Sequence, residues 1–323
     1  MAMGRRGHNP FDLTSRSHSM LRLWIRTLAA ILAVWFLMSV CVGLWVIPQL
    51  LLNAPTPRRT EAIRARTREA IQGSGGTFTM APVQGGEGKV LELWHLRRSS
   101  PRGAVIYLHG FGDDVWGTLD RANFLPEWDA VGFTFRGRDS DPSAPCTLGG
   151  WERKDVLAAF HYLETVGFPA DRILIAGWSM GAGVALLALE DLEKEGKTPG
   201  GALLECPFED LERAARDHLR GSLGRFEVVA YLAERFAIRE AGRLARFDPV
   251  QISPVHSSAL VKCRIALITG DADRETPLDG VQKIARFHPD LTVVHGAGHC
   301  EASNRLPGGW GAWARSRLSA WGV

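Results

Sequence analysis

Residues 172–189, RILIAGWSMGAGVALLAL, constrain the fold of this 323-residue chain more than any other stretch. An apolar run at 173–176 leads into Gly177-Trp178-Ser179-Met180-Gly181, and an apolar helical segment starts near Ala182. A serine in G-x-S-x-G between a strand and a helix sits on a turn so tight that flanking side chains collide with the neighbouring strand and helix. Gly177 and Gly181 remove those side chains, and Gly183 lets the helix pack closely further along. Such a turn lifts the Ser179 hydroxyl above the end of a sheet. It also aims the Met180 amide, at a helix N-terminus, at any anion forming beside it.

The rest of the chain supplies the sheet this turn needs. Residues 77–83 and 89–97 read as two antiparallel strands. Short apolar strands at 104–108, 131–135, 173–176, 202–205, 264–269 and 291–294 then alternate with helices at 151–166, 182 onward, 278–287 and 309–321. Apolar strands alternating with helices predict an α/β architecture, a mostly parallel sheet with helices on both faces. Trp310, Trp313 and Trp321 recur at near-helical spacing, as expected of a terminal helix packed on that sheet. Between residues 207 and 250 the alternation gives way to helical sequence rich in Arg and Glu, which reads as a small lid with solvated charges.

Ahead of this domain lie a basic tail (1–26) and 21 uncharged residues at 27–47, TLAAILAVWFLMSVCVGLWVI. At 1.5 Å per residue the run spans about 30 Å, the thickness of a bilayer's hydrocarbon. Trp24 and Trp45 stand near its ends, where indoles favour the interface. A signal-peptide core is shorter and is followed by a small-residue cleavage site, which is missing here. The expectation is an uncleaved single-pass transmembrane helix ended by Pro48. A linker and an arginine-rich juxtamembrane helix follow (48–76), then a catalytic domain at 77–323. The arginines on the two sides nearly balance, and a short basic tail before a first span favours an extracytoplasmic domain.

A serine hydroxyl becomes a nucleophile when a base takes its proton and a carboxylate orients that base. Downstream of Ser179, the strand at 264–269 runs into Gly270-Asp271-Ala272-Asp273, and the last strand into His295-Gly296-Ala297-Gly298-His299. Asp273 and His299 thus follow two strands in the chain order Ser, acid, His. Asp271 competes for the acid role but stands close to the strand end, where carboxylates bond turn amides. Glu275 is a third choice, and His295 reads as a strand-end histidine. A second oxyanion donor is expected in His109-Gly110-Phe111-Gly112, after the strand at 104–108, with the Phe111 amide as the choice and His109 as a structural residue.

These motifs together resemble the α/β-hydrolases, and among them the membrane-anchored serine hydrolases related to the prolyl-oligopeptidase catalytic domain. The matching residues are YLHGFG (107–112), DRILIAGWSMGAG (171–183), ITGDADRETP (268–277) and GAGH (296–299), within roughly residues 91–318. The resemblance implies an α/β-hydrolase fold, nucleophile Ser179, acid Asp273, base His299 and oxyanion amides from Phe111 and Met180. It departs at 134–140, TFRGRDS, where the family usually carries D-x-R-G-x-G-x-S. That loop holds no triad residue, so the difference bears on loop shape and substrate contacts.

Composition narrows the alternatives. A net charge of +3 is too small to argue for nucleic acid. The ten histidines include no H-E-x-x-H, and the five cysteines have neither zinc-site nor C-x-x-C spacing, so no metal and no cofactor are expected. Cys146, Cys206, Cys263 and Cys300 read as unpaired buried thiols, with two disulfides the alternative in an oxidising compartment. The expected activity is hydrolysis of an ester or thioester of a small-molecule or lipid-derived acyl substrate. The alternatives are a peptidase or amidase on the same fold, or a membrane-tethered binding protein on a hydrolase scaffold. The sequence carries no signature of a particular oligomeric state.

Overall fold

The computed structural model describes residues 11–53, 61–73, 75–137, 144–223 and 227–323. Residues 1–10 of the expected tail, residues 54–60 and 74 of the expected linker and juxtamembrane segment, loop residues 138–143 and lid residues 224–226 lie outside the described residues. An eight-stranded sheet in the order β1-β2-β4-β3-β5-β6-β7-β8 forms the body. β1 (Thr77–Gln84) and β2 (Val90–Arg97) pair antiparallel, and β2 pairs antiparallel with β4 (Asp129–Gly132). From β4 onward every pairing is parallel, through β3 (Ala104–Leu108), β5 (Ile173–Trp178), β6 (Gly201–Glu205), β7 (Ile265–Gly270) and β8 (Asp290–Val294). The mostly parallel sheet with an antiparallel opening agrees with the sequence pattern.

Alternation within the strands builds a core on each face. Ile106, Leu108 and Ile175 point into one apolar cluster, shared with α4 (Glu152–Thr165) and α5 (Met180–Lys194). Val105, Tyr107 and Ala176 point into the other, closed by Trp310 and Trp313 of α11 (Gly309–Trp321). Each Leu or Ile fully buried in these layers contributes about 2 kcal/mol. The parallel order requires the chain to leave β3 in one direction for β4 and return on the other side for β5. Loops at the C-terminal ends of β3 and β5 diverge there, and a crevice opens between them.

The N-terminal helix is longer than its apolar run. α1 (Phe11–Cys41) passes through a π-helical turn (Val42–Val46) into α2 (Ile47–Leu52), and the helical stretch 18–52 is long and apolar enough to cross a membrane. Pro48 was expected to end the span, yet the helix continues to Leu52. Pro48 sits in the first turn of α2, directly after the π-helical turn, a position that tolerates proline. Leu21, Trp24, Leu28, Leu32 and Leu37 of α1 are exposed, whereas Ile47 and Leu51 of α2 are buried, clustered with Ala237 of α7 (Glu227–Ala245). α6 (Leu211–Leu223) packs against α7, whereas Ile71 of α3 (Glu61–Gly73) is buried in the cluster that holds Trp310 and Trp313.

The turn between β5 and α5 leaves no room for a side chain at either of its glycines. A methyl group on Gly181 would stand 2.3 Å from the Leu108 carbonyl oxygen, and one on Gly177 would stand 2.7 Å from the backbone of Gly181. Both opposing atoms are backbone and have nowhere to move. Gly181→Ala is therefore expected to destabilise the fold by about 1–3 kcal/mol. Chemical denaturation tests this, and an unchanged midpoint would contradict the packing described.

Candidate functional site

Ser179 occupies the junction of β5 and α5 with φ 51° and ψ −116°, a left-handed conformation costly for a residue with a side chain. The Ser179 N–H donates to the Glu205 carbonyl (2.9 Å), and its own carbonyl accepts from the amides of Ala182 and Gly183 (3.0 and 3.1 Å). These bonds hold the strained residue in place and leave the hydroxyl facing the crevice. Met180 begins α5, so its amide is among the four N–H groups that find no acceptor within the helix.

His299 reaches this hydroxyl from the loop after β8. Its Nε2 lies 2.8 Å from Ser179 Oγ, and its Nδ1 lies 2.8 Å from Asp273 Oδ2. The carboxylate only accepts, so Nδ1 carries the proton and Nε2 is left to accept from the serine hydroxyl. Asp273, on the loop after β7, is 5% exposed. Its Oδ1 accepts from the amides of Glu275 and Thr276 (both 2.9 Å), and Oδ2 also accepts from the Thr276 hydroxyl (2.8 Å). Burial alone pushes the Asp273 carboxyl upward. The bonds from His299 and Thr276 outweigh it and hold the group below the ordinary carboxylate range. Burial likewise pushes His299 downward, but Asp273 and the adjoining Cys206 raise it above the usual imidazole value.

The competing acid and base form a separate pair. Asp271 Oδ2 binds exposed His295 Nδ1 at 2.6 Å, and Asp271 Oδ1 accepts from the Gly296 amide at 2.6 Å. Asp271 thus bonds the adjoining turn. Glu275 Oε2 lies 3.7 Å from His299 Nε2, beyond hydrogen-bond distance.

The loop after β3 lies against the serine. A methyl group on Gly110 would stand 3.6 Å from Ser179 Cβ, and Phe111 lines the same crevice. His109 is buried and shapes this loop. Its Nε2 accepts from the Phe135 amide (2.9 Å), which leaves Nδ1 to donate to the Gly110 carbonyl (2.7 Å). The divergent segment at 134–140 finds a partner through Arg136, whose guanidinium makes two bonds to buried Asp155 (2.7 and 3.0 Å). Arg138, Asp139 and Ser140 lie outside the described residues.

The crevice is an apolar cavity of about 380 Å³. Leu51 of α2, Phe111, Leu148, Met180, Phe208 and Ala215 of α6 form much of its wall. At its polar end the Arg121 guanidinium stacks 4.4 Å from the Trp178 ring. Trp116 packs against Trp94 (4.9 Å) and Trp151 donates to the Ala245 carbonyl (3.0 Å), so these two fill structure.

Sequence reasoning missed Glu205. This buried carboxylate closes β6, accepts from Trp178 Nε1 (2.9 Å) and from the Ser303 amide (3.0 Å), and so ties the serine's strand to the segment after His299. A glutamate ending an otherwise apolar buried strand was the available signal.

The fold has counterparts among solved structures. An esterase of Pyrococcus furiosus matches 84% of this chain and 98% of its own, at 19% identity and a TM-score of 0.63. A membrane phospholipase A described as a bacterial virulence factor matches 93% and 99%, at 18% identity and 0.55. The Pyrococcus horikoshii acylaminoacyl peptidase matches 79% of this chain and 42% of its own, at 15% identity and 0.52. The fold is that of the α/β-hydrolases. No family model and no curated protein matches the sequence. Esterases, a phospholipase and peptidases share this α/β-hydrolase fold with the chain, so its architecture is one that carries hydrolases of several substrate classes.

Within this α/β-hydrolase fold, Glu205→Ala leaves two buried donors unpaired and is expected to cost about 2–3 kcal/mol. Glu205→Gln retains an acceptor and costs less. Denaturation midpoints for the two variants check this, and equal midpoints would refute the bridging role.

Proposed function

We propose that the chain is a membrane-anchored serine hydrolase that cleaves a carboxylic ester or thioester of a lipid-derived acyl group. The observation that carries this reading is the unbroken run of hydrogen bonds from Ser179 Oγ through His299 to Asp273, at the rim of an apolar cavity. In the proposed reaction His299 Nε2 takes the Ser179 proton as the oxygen attacks the substrate carbonyl. Asp273 stabilises the imidazolium that forms, and the amides of Phe111 and Met180 receive the oxyanion. The proton returns to the leaving group, and water hydrolyses the acyl-enzyme by the same steps.

The lipid assignment draws on Leu51. This residue belongs to the helical stretch that continues the apolar anchor and also to the cavity wall, which supports an acyl chain entering from the membrane side. In this reading residues 27–47 span the bilayer after a basic tail at 1–26, and a linker with a juxtamembrane helix occupies 48–76. Residues 77–323 form the catalytic domain, with a lid at about 207–250, on the extracytoplasmic side.

A fluorophosphonate probe tests the assignment. Wild-type protein is expected to label and Ser179→Ala to lose labelling; unlabelled wild type at neutral pH would instead favour a binding protein on this scaffold. Asp273→Asn should lower turnover by about 10⁴-fold, and Asp271→Asn should leave it nearly intact; the reverse result would move the acid to Asp271. A panel of p-nitrophenyl esters and anilides of rising chain length should show esters of longer acyl groups preferred, and an anilide preference would indicate an amidase.

The pH profile follows from His299. Its imidazole must be neutral to accept a proton, and its pKa is raised above 6.5. kcat/KM should therefore rise with pH along a limb centred above 6.5, because the inactive protonated form persists to higher pH. Asp273→Asn should move the residual activity's limb downward, and an unmoved limb would remove Asp273 from this role.

A further inference from the structure

Cys206 and Cys300 lie 94 residues apart in the chain, and their sulfurs meet 3.2 Å apart. Cys206 directly follows β6, is 1% exposed, and its amide donates to the Ile268 carbonyl at 2.9 Å. Cys300 directly follows His299, and both residues line the cavity. One ligand-type atom each from Cys206, His299 and Cys300 can be chosen so that all three lie within 4.8 Å of one another. Both cysteines are also held at left-handed backbone angles, φ 45° and 55°, a strain that residues other than glycine tend to carry where position matters.

We propose that Cys206, Cys300 and His299 form an inhibitory site for a soft divalent cation such as zinc, which takes the imidazole away from Ser179. Two thiolates and an imidazole are a zinc donor set, and their softness selects against magnesium and calcium. Two sulfurs bound to one tetrahedral zinc stand about 3.7 Å apart, so this pair needs to part by only about 0.5 Å. A disulfide would require the same sulfurs to close by about 1 Å, against the backbone anchor on Cys206. His299 is already arranged as metal-binding histidines are. One ring nitrogen donates to a carboxylate, Asp273, and the other presents a lone pair. Water or Glu275, whose Oε2 is 3.7 Å from that nitrogen, completes the fourth position.

Binding releases the two thiol protons to solvent and involves no change of oxidation state. With the Nε2 lone pair on the cation, Ser179 has no acceptor for its proton. Hydrolysis then stops without covalent change and resumes when a chelator removes the ion. The inhibitory consequence rests on the hydrolase reading, whereas the site itself does not.

The test uses reduced, metal-free full-length protein in detergent, with cobalt(II) as the spectroscopic probe and zinc as the competitor. One equivalent of cobalt is expected to give a thiolate-to-cobalt charge-transfer band in wild type and in Ser179→Ala. Zinc should abolish that band, and Cys206→Ala and Cys300→Ala should lack it. One equivalent of zinc should slow fluorophosphonate labelling of wild type at least tenfold, and chelator should restore the rate. Absence of the band, its survival in Cys206→Ala, or an unchanged labelling rate with zinc bound would overturn the proposal. So would loss of two thiols to a disulfide with no metal uptake. Protein that never labels, with or without metal, would refute the hydrolase reading; the cobalt spectrum of Ser179→Ala would still decide the site.

Discussion

The fold of the site depends on the strained turn at Ser179. A residue with a side chain is held at a left-handed φ because three neighbours allow nothing else. The Leu108 carbonyl lies against Gly181, the Gly177 position abuts Gly181, and the β6 backbone binds the Ser179 amide. Relaxing the turn would break the register between β3, β5 and β6. Strain of about 1–3 kcal/mol is small beside the apolar burial of α5, nearly all of whose residues are buried. The sheet therefore supplies the energy that holds one half-buried hydroxyl at the rim of the crevice, at a helix N-terminus.

The other two members of the hydrogen-bonded run are held less by strain than by polar contacts. Asp273 is nearly buried, and four bonds from His299, Glu275 and Thr276 offset the cost of keeping a carboxylate there. Glu205 does a similar service at the other side, joining the indole of Trp178 to the amide of Ser303. Asp273 thus fastens the loop after β7 to the loop after β8 through His299, and Glu205 fastens the end of β5 to the segment after His299. Three of the six partners of these two carboxylates are backbone amides. The amides of Glu275 and Thr276 fix Asp273 Oδ1, which leaves Oδ2 facing His299 at 2.8 Å.

Much of this was legible in the chain. Alternating strands and helices, the glycines around Ser179 and the order Ser179, Asp273, His299 all rest on local rules of spacing and turn geometry. Asp271 and Asp273 were separable in principle because a carboxylate next to a strand end bonds the turn, as Asp271 does with Gly296. The N-terminal helix runs on past Pro48 to Leu52, because a proline in the first turn of a helical segment does not interrupt it. Glu205 was passed over because its partners come from two distant segments. The cysteines looked unrelated because neither local spacing nor motif links residues 206 and 300.

What the sequence determined by itself, then, is whatever local sterics and periodicity dictate: a parallel sheet, a tight serine turn, and an N-terminal apolar helix. The tertiary structure decided which distant groups share a few ångströms of space. Sheet order brings the ends of β5, β6, β7 and β8 side by side, so His299 meets Ser179 and Cys300 meets Cys206, while Leu51 of α2, which packs on α7, lies at the cavity wall. Local rules act over a few residues along the chain. Which strand end faces which is settled only when the whole apolar core closes, and that is where the chemistry of this molecule is assembled.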